Sequence, residues 1–106
     1  MEDFYDAILK NRITLVDFYA TWCGPCRAMH PILENLKTLT GDKLRILKLD
    51  IDDPDNALII GKYNIRSVPT LIFFRSGVML WRGSGVVSAE HLAGLVEKFH
   101  AESVNA

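Results

Sequence analysis

Two hydrophobic periods alternate along the chain. Residues 13–20, ITLVDFYA, are almost all apolar, β-branched or aromatic, which predicts a strand buried on both faces. Residues 23–39 carry Met29, Ile32, Leu33, Leu36 and Leu39, a stripe with steps of three and four that predicts a helix. Pro31 lies inside that stripe, where it removes one backbone donor and bends the helix; Gly41 ends it. Ahead of the strand, residues 4–10 fit a short helix with Phe4, Tyr5 and Ile8 inward. Residues 44–50, LRILKLD, form the next strand. Asp53-Pro54 reads as an N-cap with proline in the first turn, opening a helix that runs to about Lys62. Residues 70–75 and 78–82 are strands around a tight turn at Ser76-Gly77, a hairpin by its spacing. Ser88 caps a last helix with Leu92, Leu95, Val96 and Phe99 on its inner face.

The order α-β-α-β-α-β-β-α has a topological consequence. Strands separated by a helix imply a parallel pair with a right-handed crossover, and the hairpin adds antiparallel strands to the same sheet. The expectation is one α/β domain over residues 1–106, with helices on both faces of a mixed sheet. A length of 106 residues suits one domain. With 12 Lys+Arg against 13 Asp+Glu, the net charge of -1 leaves no electrostatic footprint for nucleic acid. No apolar run approaches the roughly 20 residues that span a bilayer. The acidic start, MEDFYD, lacks the basic region and apolar stretch of a secretory signal. Only two cysteines occur, too close together to constrain an unfolded chain much. Their usage fits a reducing compartment, and a cytoplasmic location is expected.

Those cysteines carry the chemistry. Trp22-Cys23-Gly24-Pro25-Cys26 lies between a predicted strand and a predicted helix. A CxxC at a helix start sets its first sulfur near unpaired N–H groups and the positive end of the helix dipole. That setting stabilises thiolate, the form that attacks disulfides. The second sulfur, one turn on, can close a small ring with the first and reopen it. Two other readings compete. CxxC is half of a zinc site, but no second CxxC exists and His30, His91 and His100 are scattered. An inert core pair is the other, and a strand-to-helix turn is an exposed place for one. Asp17 sits among apolar neighbours, where an ionised carboxylate costs several kcal/mol. It is either a buried, easily protonated acid or a strand residue facing solvent. Asp50, Asp52, Asp53 and Asp55 form an acidic cluster. Strand-end solvation and helix capping explain it better than a metal, since no EF-hand pattern follows. His30 shares a helix face with Cys26 by its fourfold spacing, either as a proton relay or as a surface histidine.

LVDFYATWCGPCRAMHPILENL, the segments KLDID at 48–52 and IRSVPT at 65–70, and Gly85 together resemble thioredoxin. The resemblance runs from about Phe4 to the last helix. It implies the thioredoxin fold, and a thiol–disulfide oxidoreductase that reduces protein disulfides through a redox-active Cys23–Cys26 disulfide. By resemblance Cys23 is the nucleophile and Cys26 the resolving thiol. Asp17 is the buried acid behind Cys26 that exchanges its proton through water, and Lys48 is the partner of Asp17. Read from the residues alone, Lys48 is equally a solvated strand lysine. Val68-Pro69 matches the family's cis-proline, although X–Pro bonds are usually trans. That loop, with Trp22, Gly24, Pro25, Ile51 and Gly85, would form an apolar apron for an extended substrate; a plain core role for Trp22 competes. No cofactor and no metal are implied. The implied partners are protein disulfide substrates and a thioredoxin-reductase-type flavoenzyme, with the protein a monomer.

The Gly-Pro between the cysteines leans towards reduction, since oxidising and isomerising relatives usually have histidine before the second cysteine. Such a relative is one alternative, and a non-enzymatic thioredoxin-like binding subunit is another. Tyr19 stands where many thioredoxins have tryptophan. Gly83 is unusual beside Ser84-Gly85 and is expected to loosen the last strand. The strand that usually precedes the first helix is missing from the pattern. A sheet of about four strands, with residues 44–50 at an open edge, is therefore expected. Arg45 and Lys48 would discourage edge pairing.

Overall fold

Alternate side chains of the first strand, β1 (Ile13–Tyr19), go to opposite faces, and each face meets its own helices. The computed structural model describes residues 3–105. Among them, β2 (Leu44–Asp50), β3 (Thr70–Arg75) and β4 (Val78–Ser84) complete a four-stranded sheet in the order β2-β1-β3-β4. The helices are α1 (Phe4–Leu9), α2 (Gly24–Thr40), α3 (Ala57–Lys62) and α4 (Ala89–Asn105). β1 pairs parallel with β2 and antiparallel with β3, and β3 pairs antiparallel with β4. This is the mixed α/β sheet that the element order predicts, with β2 at an edge. Met1 and Glu2, on which the reading of a missing first strand rests, lie outside the described residues.

Ile13 and Leu15, with Leu71 and Phe73, pack under Met29, Leu33 and Leu36 of α2 and Leu92, Val96 and Phe99 of α4. Val16 and Phe18, with Ile72 and Phe74, pack on the other face against Phe4 and Ile8 of α1 and Ile59 of α3. Each such side chain contributes about 1.5–3 kcal/mol of transfer free energy. Asp17 continues the odd series and so lies on the α2 side.

Three expectations are corrected. Tyr5 does not face inward; Phe4, Ala7 and Ile8 do, because a period of 3.6 residues puts position 5 about 100° around the helix. Leu39 is likewise exposed, and Thr40 turns in, its hydroxyl donating to the Leu36 carbonyl at 2.8 Å. The helix after Asp53 starts as a 3-10 turn, Pro54–Asn56, before α3 begins. Its cap is as expected, since Asp53 accepts from the Asp55 N–H at 3.0 Å.

The hairpin turn has φ of +53° at Ser76 and +80° at Gly77, matching the type I′ geometry that joins twisted strands in two residues. β4 runs on to Ser84, beyond the predicted end. Gly83 has a packing role there. Trp81 lies on the same strand face, and a Cβ built on Gly83 would meet the indole Cη2 at 2.4 Å. The indole cannot simply step aside, because it packs against Phe73 and His91. Gly83→Ala should therefore destabilise the fold by about 1–3 kcal/mol through overpacking. Urea unfolding checks this; an unchanged midpoint would mean that Trp81 repacks freely.

Candidate active site

β1 delivers the chain through a short turn to α2, and Cys23 is the N-cap of that helix. Its Sγ accepts from the Cys26 N–H at 3.2 Å. The first-turn N–H groups of a helix lack intrahelical partners, so a sulfur at the cap takes one of them. Pro25, in the first turn, costs nothing because its missing donor is one of those orphans. Cys23 and Cys26 are joined as a disulfide with Cα atoms 5.3 Å apart. Cys23 is 5% exposed and Cys26 1%, so an incoming group reaches Cys23 first.

The rim around the sulfurs comes from four segments. Trp22 is 65% exposed, which sets aside a core role. Its indole N–H donates to the Asp52 carboxylate at 2.8 Å. Gly24 and Pro25 are exposed at the helix start. Ile51 and Val68 are half-buried and pack with Tyr19 against Ala20, Cys23 and Cys26. Cys23 Sγ lies 3.6 Å from the Val68 carbonyl oxygen, and the Val68-Pro69 bond is cis. The Pro69 carbonyl accepts from the Gly85 N–H at 2.9 Å. Gly85 has φ of +84°, a backbone state that other residues rarely adopt. The structure thus brings Trp22, Gly24, Pro25, Ile51, Val68, Pro69 and Gly85 to one end of the sheet, about the two sulfurs.

Asp17 is fully buried, which excludes the solvent-facing reading. Among the described residues neither carboxyl oxygen has a hydrogen-bond partner. Burial pushes its pKa up from 3.8 to about 6, and the Lys48 charge pulls part of the way back. Lys48 is directly opposite in the β1–β2 register. Its ammonium makes no ion pair with Asp17; it donates instead to His30 Nδ1 at 2.9 Å. Sequence reasoning missed that contact. The only hint was the spacing of His30 from Cys26.

The acidic cluster serves the backbone and the rim. Asp50 accepts from the Asp52 N–H at 2.9 Å, Asp53 caps the turn that follows, and Asp52 holds Trp22. Among the described residues no three His, Cys, Asp or Glu side chains gather as a metal site. No helix among those residues is long and apolar enough to cross a membrane.

A dithiol–disulfide pair at a helix N-terminus, with a carboxyl of raised pKa buried on the same side of the sheet, is equipped for thiol–disulfide exchange. Fold and site together define an α/β thiol–disulfide oxidoreductase. The family model for thioredoxin matches residues 1–98. The chain belongs to the thioredoxin family. It is 39% identical over 94 residues to thioredoxin of Bacillus subtilis (strain 168), spanning 89% of this chain and 88% of the relative. Thioredoxin of Staphylococcus aureus (strain Mu50 / ATCC 700699) is 40% identical over the same shares. Among solved structures, a mutant thioredoxin from Halobacterium salinarum NRC-1 superposes with a TM-score of 0.78 at 30% identity. That match covers 92% of this chain and 84% of the other. A malaria-parasite thioredoxin-2 gives 0.77 at 29% identity, covering 84% of each chain.

Proposed function

We propose that the 106 residues act as one domain that reduces disulfides in other proteins, with Cys23 attacking and Cys26 resolving. The reduced protein presents Cys23 as a thiolate at the α2 N-terminus. The thiolate attacks one sulfur of the substrate disulfide, forming a mixed disulfide and expelling the other sulfur as thiolate. Asp17 takes the proton of Cys26 through a bridging water. The Cys26 thiolate then attacks Cys23 Sγ, closes the Cys23–Cys26 disulfide and expels the second substrate sulfur. Two electrons have passed from the dithiol to the substrate. A flavoenzyme of the thioredoxin-reductase type returns them. Lys48 moderates the acidity of Asp17 through its charge.

The substrate lies along the Val68-Pro69 loop as an extended segment bonding to free backbone groups. Trp22, Ile51 and Gly85 flank that segment, while Gly24 and Pro25 leave the approach to Cys23 open. Gly24-Pro25 supports the reducing direction over an oxidising one. The protein works as a monomer in the cytoplasm. The observation that carries this reading is the cap of α2: Cys23 Sγ takes the Cys26 N–H within disulfide reach of Cys26.

Equilibration with glutathione buffers, followed by a coupled protein-disulfide reduction assay, tests it. The dithiol should be more reducing than glutathione, and the assay should turn over with a flavoenzyme reductase. A potential well above that of glutathione would indicate an oxidising relative instead. Full biological function after double Cys→Ser substitution would indicate a binding subunit.

A further inference from the structure

The open edge of the sheet poses a physical problem for Lys48. Its side chain has four flexible methylenes, and it is the exposed residue of a strand that is otherwise buried or half-buried. A lysine in that position normally keeps its ammonium in solvent. Beside β2 there is also a groove of about 250 Å³ lined by Leu33, Glu34, Lys37, Ile46 and Lys48. Glu34, a carboxylate lining the same groove as Lys48, is a second partner on offer to the ammonium. The ammonium instead donates to His30 Nδ1 at 2.9 Å.

Three observations fix what that contact does. Leu44 and Ile46 pack in the α2-side core, so Lys48, two residues on, leaves β2 on the same face. Asp17 lies on that face and is its register partner in β1. His30 comes from α2, which covers the face, and its ring meets the edge of Tyr19 at 6.3 Å between centroids. An ammonium only donates, so Nδ1 is the accepting nitrogen and the proton sits on Nε2. The groups about the pair are Asp17 and Tyr19 from β1, Cys26 and Glu34 from α2, and Lys48 itself from β2.

We propose that His30 is a positioning residue for Lys48: its Nδ1 holds the ammonium over the Asp17 side of the sheet and keeps it from Glu34 and the open edge. Its bearing on turnover rests on the proton-transfer role given to Asp17. The placement itself does not. With the ammonium held in place, the Lys48 charge acts on Asp17 without a direct bond between them, consistent with a carboxyl that is unpartnered yet lowered by that charge. A buried carboxyl serves best as acceptor when it is neither fully neutral nor locked in an ion pair at working pH.

The test is a carbon NMR titration of the Asp17 carboxyl in the reduced protein. Wild type is compared with His30→Ala, His30→Gln, Lys48→Met and the double variant His30→Ala with Lys48→Met. His30 is half-buried and Lys48 exposed, so these chains should fold. His30→Ala should raise the Asp17 midpoint by roughly 0.5–1 pH unit, as Lys48 swings out. Lys48→Met should raise it at least as far. His30→Gln, whose side-chain oxygen accepts the same N–H, should restore the wild-type midpoint. The double variant should match Lys48→Met. An unchanged or lowered midpoint in His30→Ala would overturn the proposal, as would a further rise from His30→Ala on the Lys48→Met background. Turnover of Asp17→Asn is measured alongside. Full turnover there would remove the catalytic role of Asp17 while leaving the titration result to decide the placement.

Discussion

Cys26→Ser should accumulate a covalent one-to-one complex with protein disulfide substrates, and Cys23→Ser should accumulate none. In Cys26→Ser the cap geometry that favours Cys23 thiolate survives, because the N–H on its sulfur belongs to the backbone. Attack therefore proceeds, and the mixed disulfide has no internal thiol to resolve it. Cys23→Ser removes the sulfur at the cap and leaves the 1% exposed Cys26, which a folded substrate cannot reach. Turnover should fall at least about 10³-fold in either variant, since each removes a member of one reacting unit. Non-reducing electrophoresis and mass spectrometry of the trapped complexes read the result directly. Alkylation of the reduced protein at mildly acidic pH should label Cys23 first. Preferential labelling of Cys26, or trapping by Cys23→Ser, would exchange the two roles.

Asp17→Asn should make the domain more stable at neutral pH and slower in turnover. The folded protein holds the Asp17 proton more tightly than the unfolded chain does, with a value of about 6 against 3.8. Well below pH 3.8 the carboxyl is neutral in both states and its ionisation costs nothing. As pH rises from 3.8 to about 6 the unfolded chain ionises first, and stability drops; above that the loss is complete. The gap corresponds to about 3 kcal/mol. A buried unpartnered amide takes back about 1–3 kcal/mol of this. The expected net gain is up to about 2 kcal/mol at pH 7, or a melting temperature higher by up to about 10 °C. At pH 3.5 the ionisation contribution is nearly gone and the amide's cost remains, so the variant should be no more stable than wild type. Loss of the proton acceptor should slow resolution by about 10²-fold or more. Thermal melts at the two pH values and single-turnover kinetics check both parts. An unchanged melting temperature at pH 7 with full activity would defeat burial and catalysis together.

Much of this is legible in the sequence. The unbroken apolar run at residues 13–20 encodes a central strand, because only a strand covered on both faces tolerates such a composition. A single charged residue in that run therefore marks itself: Asp17 stands out by its neighbours alone. The CxxC between strand and helix is local in the same sense, since its cap geometry arises within four residues. The β2 and β3 boundaries and the hairpin turn followed from period and turn residues, while β4 ran two residues past its predicted end. Tyr5 and Leu39 were misassigned because helical phase was judged by hydrophobicity, when the docked face was set by Phe4, Ala7 and Ile8, and by Leu36 and Thr40.

The sequence by itself determined the sulfur pair and the mixed sheet and singled out Asp17, all from residue type and short-range spacing. The tertiary structure alone decided three things. Trp22 lies outside, bonded to Asp52, because the β2 loop returns beside the helix start. The carbonyl of Val68 sits at the Cys23 sulfur, because β3 pairs with β1 and aims its entry loop at α2. Lys48 is held by His30 and not by Asp17, because strand pairing sets which face it leaves from and helix docking sets which ring it meets. Register and helix phase are properties of the assembled layers. Local composition specifies that a residue can bond; only the packing of distant elements settles with what.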